Sequence, residues 1–310
     1  MIRYIARRML FVAVLVFAVS SATLILARLS PGDYVTESLG PRAKRADIEA
    51  MRARYGLNRS FGAQYRDWLA GVVHFDFGRS MQYDRPVTDL IPERAANTGI
   101  LAVTALLLAT LIGLPLGVIT GTRPNGLVPA AIRAASLVLL SMPPLLTSLF
   151  LVFVAARSGL LPVGGMTSSS GGDLLSHMIV PVAALALPLA AMFERLQSQA
   201  MSETVGQPYM VATFSRGVPM TRVIWRDAFK NALRPIAAIY GLVVGTLLSG
   251  SFAVETITAW PGLGQLMRGA LRARDVYLVA GCAAAGSVFL GIGTLMSDAM
   301  LAAVDPRATD

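Results

Sequence analysis

The sequence predicts an all-α integral membrane protein, with six transmembrane helices, a small helical cap on the outer face and an ordered segment on the cytoplasmic face. Three observations carry this. Only 15% of the 310 residues are charged and 55% are hydrophobic, whereas a soluble domain carries roughly 25% charged residues. Six apolar runs approach the ~20 residues needed to cross a hydrocarbon core. Arginine and lysine cluster in alternate short connections, as cytoplasmic loops do. Mean hydropathy is +0.60, so much of the surface is expected to face membrane lipid. Headgroup attraction and topology account for the +9 net charge, and nucleic acid is not an expected partner.

The first run, Met9–Ala27, follows a basic start, MIRYIARR. It has the order of a signal peptide, but its apolar stretch is too long for one and no small-x-small site leads into a soluble domain, so it is expected to stay as a first span. The others are Asn97–Ile119, Arg133–Ala156, His177–Phe193, Ala232–Val254 and Val276–Val304. The fourth is the shortest and carries Pro181 and Pro188, which predicts a kinked or extended helix. With both termini cytoplasmic, the inner segments hold twelve basic residues. The short outer loops hold four: Arg157, Arg268, Arg272 and Arg274. The eleven between Arg28 and Arg94 lie in a segment long enough to escape the charge rule.

Three stretches follow: 1–29 as the first helix, 30–95 as an extracytoplasmic segment, and 96–310 as a five-helix core with a cytoplasmic loop at 194–230 and an outer re-entrant segment at 255–274. In the outer segment, Ala43–Tyr55, ended by Gly56, and Gln64–Val73 are helix candidates, with Tyr65 and Trp68 suited to the membrane interface. The loop Arg157–Ser176 is rich in Gly and Ser and reads as mobile.

The cytoplasmic stretch Tyr209–Pro235 is the most informative. Carrying Arg216, Arg222, Arg226, Lys230 and Arg234 with Gly217 and Pro219, it cannot sit in hydrocarbon. It reads as a short helix, a break at Gly217 that permits a sharp turn and close backbone approach, and a second amphipathic helix. It is either a surface offered to a partner or a basic connector.

After the fifth span, Val254–Leu271 places Glu255, Trp260, Pro261, Gly262 and Gly264 before an amphipathic run. This reads as a re-entrant or surface helix at the outer mouth, with Trp260 suited to the membrane interface, or as a structural turn. Glu255 serves there as a gate group, a contact for an amino group, a cap, or a partner of Arg268 or Arg272. Pro143 and Pro144 in the third span, with Gly241, Gly245 and Gly250 in the fifth, are pathway candidates or helix-packing residues. Asp298 reads as an interfacial anchor, and Glu194 with Arg195 as a pair. Cys282 reads as a buried packing thiol, and His74 and His177 make no metal site. The chain has no GxxxxGK[ST] loop, so it is not expected to hydrolyse ATP, and no nucleophile elbow, HExxH or acid pair supports an enzyme.

These residues resemble the first-permease (B-type) branch of the inner-membrane permeases of ABC importers for dipeptides, oligopeptides and nickel. The resemblance runs almost end to end. Its motifs are LSPGD at Leu29–Asp33, YGL at Tyr55–Leu57, QYRDWL at Gln64–Leu69, DFGRS at Asp76–Ser80, RPV at Arg85–Val87 and SMPP at Ser141–Pro144. They continue with GLLP at Gly159–Pro162, HMIVPVAALALP at His177–Pro188, RDAFKNALRP at Arg226–Pro235, VETITAWPGLG at Val254–Gly264 and DPR at Asp305–Arg307. It implies a type I ABC importer permease fold in a bacterial inner membrane. It also implies a second related permease, two ATP-binding subunits that hold the only ATP, and an extracytoplasmic binding protein. The cytoplasmic stretch then corresponds to an EAA-type coupling loop formed by Tyr209, Val211, Ala212, Thr213, Arg216 and Gly217, with Val211 standing where the family has its acid. The outer turn would line a gate. The alternative is an autonomous secondary carrier or channel. Few intramembrane charges and no convincing repeat between the halves speak against it.

Overall fold

The computed structural model describes residues 2–123, 125–166 and 171–304. The DPR motif at 305–307 and residues 167–170 of the Gly/Ser loop lie outside the described residues. In chain order the helices are α1 (Ile2–Leu29), α2 (Tyr34–Leu39), α3 (Arg45–Arg54), α4 (Phe61–Val72), α5 (Val87–Thr122), α6 (Leu127–Ser141) and α7 (Pro144–Ser158). There follow α8 (Gly171–Val205), α9 (Pro208–Ser215), α10 (Met220–Arg222), a π-helical stretch (Val223–Ala228), α11 (Phe229–Ala232), α12 (Arg234–Ile257), α13 (Leu263–Ala273) and α14 (Val276–Val304). Among the described residues, five helices are long and apolar enough to cross a membrane, and α6 with α7 makes a sixth only as a pair bent by 107°.

The expected third span, Arg133–Ala156, thus falls across two helices joined at a bend. Pro143 and Pro144 supply no backbone N–H, and Pro143 forces Met142 into extended backbone (φ −98, ψ 114), so the helix ends at Ser141 and restarts at Pro144. The fourth span is also longer than the apolar run His177–Phe193. It continues as α8 through Glu194 to Val205, with Pro181 and Pro188 inside it. The polar residues after Phe193 end the hydrophobic signal without ending the helix.

The described chain packs as two compact units, neither continuous in sequence. The first comprises residues 1–98 and 261–289. Asp33 opens α2 with a capping box, accepting from the Thr36 N–H while its own N–H donates to the Thr36 hydroxyl. Its other oxygen takes Arg52 of α3 at 2.7 Å. Burial pushes this carboxyl up, but the Arg52 and Thr36 bonds outweigh it and hold it below its ordinary value of 3.8. Trp68, expected at the membrane interface, is buried instead against Leu24 and Ala280. The loop before α14 turns on Asp275. This fully buried carboxylate accepts from Ser80 Oγ (2.6 Å), Gln82 N (3.0 Å) and Leu278 N (3.2 Å), capping α14 and fixing the 80–82 loop together.

The second unit comprises residues 99–260 and 290–310. Its centre is a layer of apolar side chains from α5, α8 and α12, including Leu101, Leu185, Phe193 and Val243, with Phe193 stacked on Tyr240 at 5.5 Å. In lipid, hydrophobicity does not drive helices together; close fit does. The fit is tightest along α5, where Gly113, Gly117 and Gly121 present one glycine every fourth residue. A Cβ added there would stand 2.5, 2.6 and 2.4 Å from the carbonyl oxygens of Ala190, Glu194 and Ser198 on α8. Only glycine permits that approach. Leu107 and Leu111, on other faces of α5, are exposed, as lipid-facing residues should be.

Candidate functional site

The cytoplasmic stretch folds as a suspended segment. A turn at 206–207 leads from α8 into α9, which begins at Pro208, where a missing N–H costs nothing. Met210 anchors α9: it is 1% exposed and packs with Val118 of α5, Met201 of α8 and Val223, Ala228 and Ala232 beyond the turn. Tyr209, Ala212, Ser215 and Arg216 remain exposed. The Tyr209 hydroxyl accepts from Asn231 Nδ2 at 3.2 Å, bracing α9 against α11, and Thr213 bonds back to the Tyr209 carbonyl at 2.9 Å. Nothing is described of the Val211 side chain. Gly217 ends the segment at φ +77. The sharp turn expected there is present. Among the described residues, no atom beyond its chain neighbours lies within 4 Å of where a Cβ would point.

Beyond Gly217, the expected second amphipathic helix runs without interruption from Met220 to Ala232 but widens into π-helix across Val223–Ala228. The wider turn seats Val223 and Ala228 in the Met210 core while leaving Trp225 half exposed, tilted on Phe229 at 5.9 Å.

The outer-mouth residues divide between the two units. In the second, Glu255 is fully buried near the end of α12, and Trp260, expected at the interface, is buried in the core with 1% exposure. The chain turns through Ala259 in the left-handed region (φ 51), with Trp260 N–H on the Glu255 carbonyl at 3.0 Å. The start of the Gly/Ser loop bonds here: Gly165 N–H donates to the Thr258 carbonyl at 2.8 Å, and a Cβ on Gly164 would stand 2.5 Å from that oxygen. In the first unit, the Pro261 carbonyl accepts from Asn97 Nδ2 at 2.9 Å and Leu263 N–H donates to Thr98 Oγ1 at 2.8 Å. Helix α13 then buries Leu263, Gly264, Leu266 and Ala270 along one face, as an amphipathic surface helix does.

Among the pathway candidates, Pro144 meets Gly250, its Cγ 3.3 Å from where a Cβ would be. Gly245 faces Leu290 of α14 instead, and Gly241 faces Ser297, so these glycines serve helix packing on different faces. Glu194, expected to pair with Arg195, is 1% exposed and takes the Thr120 hydroxyl at 2.5 Å, while Arg195 is exposed. Sequence reasoning missed Asp275, although an Asp directly before an apolar run is a helix-start signal. It also missed the Gly113–Gly117–Gly121 series, although small residues four apart in a span mark a helix contact. Among the described residues no three of His, Cys, Asp or Glu gather as metal ligands.

Several helices long and apolar enough to span, with a short helix hung outside them, define a multi-pass membrane protein. The chain belongs to the family of binding-protein-dependent transport system inner membrane components, the membrane permeases of ABC importers. The model of that family matches residues 113–310, and that of its N-terminal part matches residues 1–102. It is similar to the oligopeptide transport system permease protein AppB of Bacillus subtilis (strain 168), 31% identical over 313 residues covering 99% of each chain. The dipeptide transport system permease protein DppB of Escherichia coli (strain K12) is 29% identical over 334 residues, 99% of this chain and 98% of the other. The DppB of Bacillus subtilis is 30% identical over 309 residues, with the same coverage.

Proposed function

We propose that this chain forms half of the pathway of a peptide importer. It pairs with a second, related permease, receives cargo from an extracytoplasmic binding protein and is driven by two cytoplasmic ATP-binding subunits. Both termini and α9 lie on the cytoplasmic side, following the distribution of basic residues. Cargo is a peptide or similar small solute, as the names of AppB and DppB indicate for those relatives. The cofactor ATP belongs to the partners. Alternating access is the mechanism: nucleotide binding favours one of two arrangements of the permease pair and release favours the other.

The observation that carries this reading is α9. A helix of eight residues, buried through Met210 and exposed along Tyr209, Ala212 and Arg216, is tied directly to α8 and closed by a left-handed glycine. Such an element can receive a push and pass it to a span. Glu255, Trp260, Pro261, Gly262 and Gly264 form the outer gate in this reading. Pro143, Pro144, Gly245 and Gly250 set how closely the pathway helices pack.

The test uses Cys282→Ser with Ala212→Cys in the tagged chain, expressed with its native partners. A cysteine cross-linker should join residue 212 to a subunit of ATPase size, and purified complexes should take up a labelled dipeptide only with ATP and binding protein. A chain that purifies alone and moves peptide without ATP would instead be an autonomous carrier or channel.

A further inference from the structure

Between α5, α6 and α8 the second unit opens a cleft of about 540 Å³. Its floor is Thr120, which holds two opposite charges. The Thr120 hydroxyl meets Glu194 at 2.5 Å, and its carbonyl lies 3.5 Å from Arg133 Nη1. Glu194 is 1% exposed. Along α8 the cleft continues through Ser198 and Ser202, one helical turn apart, to Glu203, and along α6 it has buried Ser136. Leu137 and Leu140 form an apolar rim on the α6 side. One turn beyond Glu194, Gln197 is fully buried and its amide finds no partner among the described residues.

All three helices belong to apolar spans or the bent pair. Glu194 and Ser136 are buried within the protein, where polar and ionised groups are costly and persist where they meet each other, water or a ligand. A buried carboxylate with one protein hydrogen bond can accept more, since each oxygen carries two acceptor positions. A carboxylate and a guanidinium set around one threonine, beside serines and an apolar rim, match a small molecule with a positive end, a negative end and a short carbon body.

We propose that this cleft binds a zwitterion, its ammonium group on Glu194 and its anionic group on Arg133. Two molecules available to a transport subunit have that chemistry: a free dipeptide, and the ethanolamine phosphate headgroup of a membrane lipid. The dipeptide case rests on the peptide-importer reading; the headgroup case requires only a membrane protein.

The test takes the tagged chain purified from its native membrane with the partners it retains, as wild type, Glu194→Gln and Arg133→Gln. Each is measured for binding of alanyl-alanine by calorimetry and for retained phosphatidylethanolamine by native mass spectrometry. No ATP or binding protein is added, so missing ATPase partners would defeat the importer reading while leaving this readout intact. Wild type should bind one of the two probes, and both substitutions should weaken it at least tenfold. Loss of dipeptide affinity identifies a solute site, and loss of retained lipid a headgroup site. Elution profile and thermal stability show whether each variant is folded. If Glu194→Gln is not, Arg133→Gln on the wall of the cleft decides. Binding of neither probe by wild type, or binding unchanged in both variants, overturns the proposal.

Discussion

Replacing Gly217 separates conformation from size more sharply than any other change in the cytoplasmic segment. Its φ is +77 and no atom lies within 4 Å of the Cβ direction, so a side chain there meets no neighbour and only the backbone conformation is strained. An L-residue in the left-handed region costs about 1–2 kcal/mol, which is roughly a 5- to 30-fold loss of the competent turn. A β-branched residue lies at or above the upper end, and asparagine, which enters that region readily, near the lower. The series Gly217→Asn, →Ala, →Val should therefore fall in that order in ATP-dependent dipeptide uptake by reconstituted complexes, normalised to the chain's abundance in the membrane. Insertion itself should not change, because the turn lies outside the spans. Val with normal uptake, or an effect that follows side-chain volume with Asn worse than Ala, would refute the reasoning and remove the turn from the coupling path.

Other outcomes follow from the packing. Gly117→Leu should uncouple α5 from α8, because its Cβ would meet the Glu194 carbonyl at 2.6 Å and backbone cannot yield as a side-chain tip does; overpacking of this kind costs about 1–3 kcal/mol, read as a lower melting temperature in detergent. Asp275→Ala leaves the Ser80, Gln82 and Leu278 donors without their acceptor, at about 1–3 kcal/mol for each left unsatisfied, and should destabilise the chain more than Asp275→Asn does. Asp33 binds its proton more weakly in the folded chain than in the unfolded one. Its contribution is therefore whole above the ordinary value of 3.8 and is lost as pH falls through the lower folded value. Hydrogen exchange in α2 and α3, corrected for intrinsic rates, should accelerate across that acid window in wild type. In Asp33→Asn it should already be fast at neutral pH and show no such step.

The spans were legible because a bilayer core demands about 20 apolar residues, and that signal survives in a single sequence. Their ends were not. Hydropathy falls at Glu194 while α8 runs on to Val205, since a helix does not need lipid to continue. The two prolines at 143 and 144 were visible, yet the apolar composition on either side read as one span; the 107° bend is a matter of backbone geometry that hydropathy does not sense. Trp68 and Trp260 were assigned to the membrane interface on residue type alone, and tertiary packing buried both. At the cytoplasmic segment the glycine break was readable from φ preference. The π-helical stretch was not, because its register answers to which side chains must reach the Met210 core.

The zipped glycines of α5 have a mechanical consequence. Helix α8, at 35 residues, is a rod roughly 52 Å long, and with α5 locked to it the pair resists bending as a laminated beam does. A load applied at α9 enters at one end of that beam through two linking residues and Met210. Beyond the zipped stretch, Pro181 and Pro188, each lacking a backbone hydrogen bond, mark where the rod can flex.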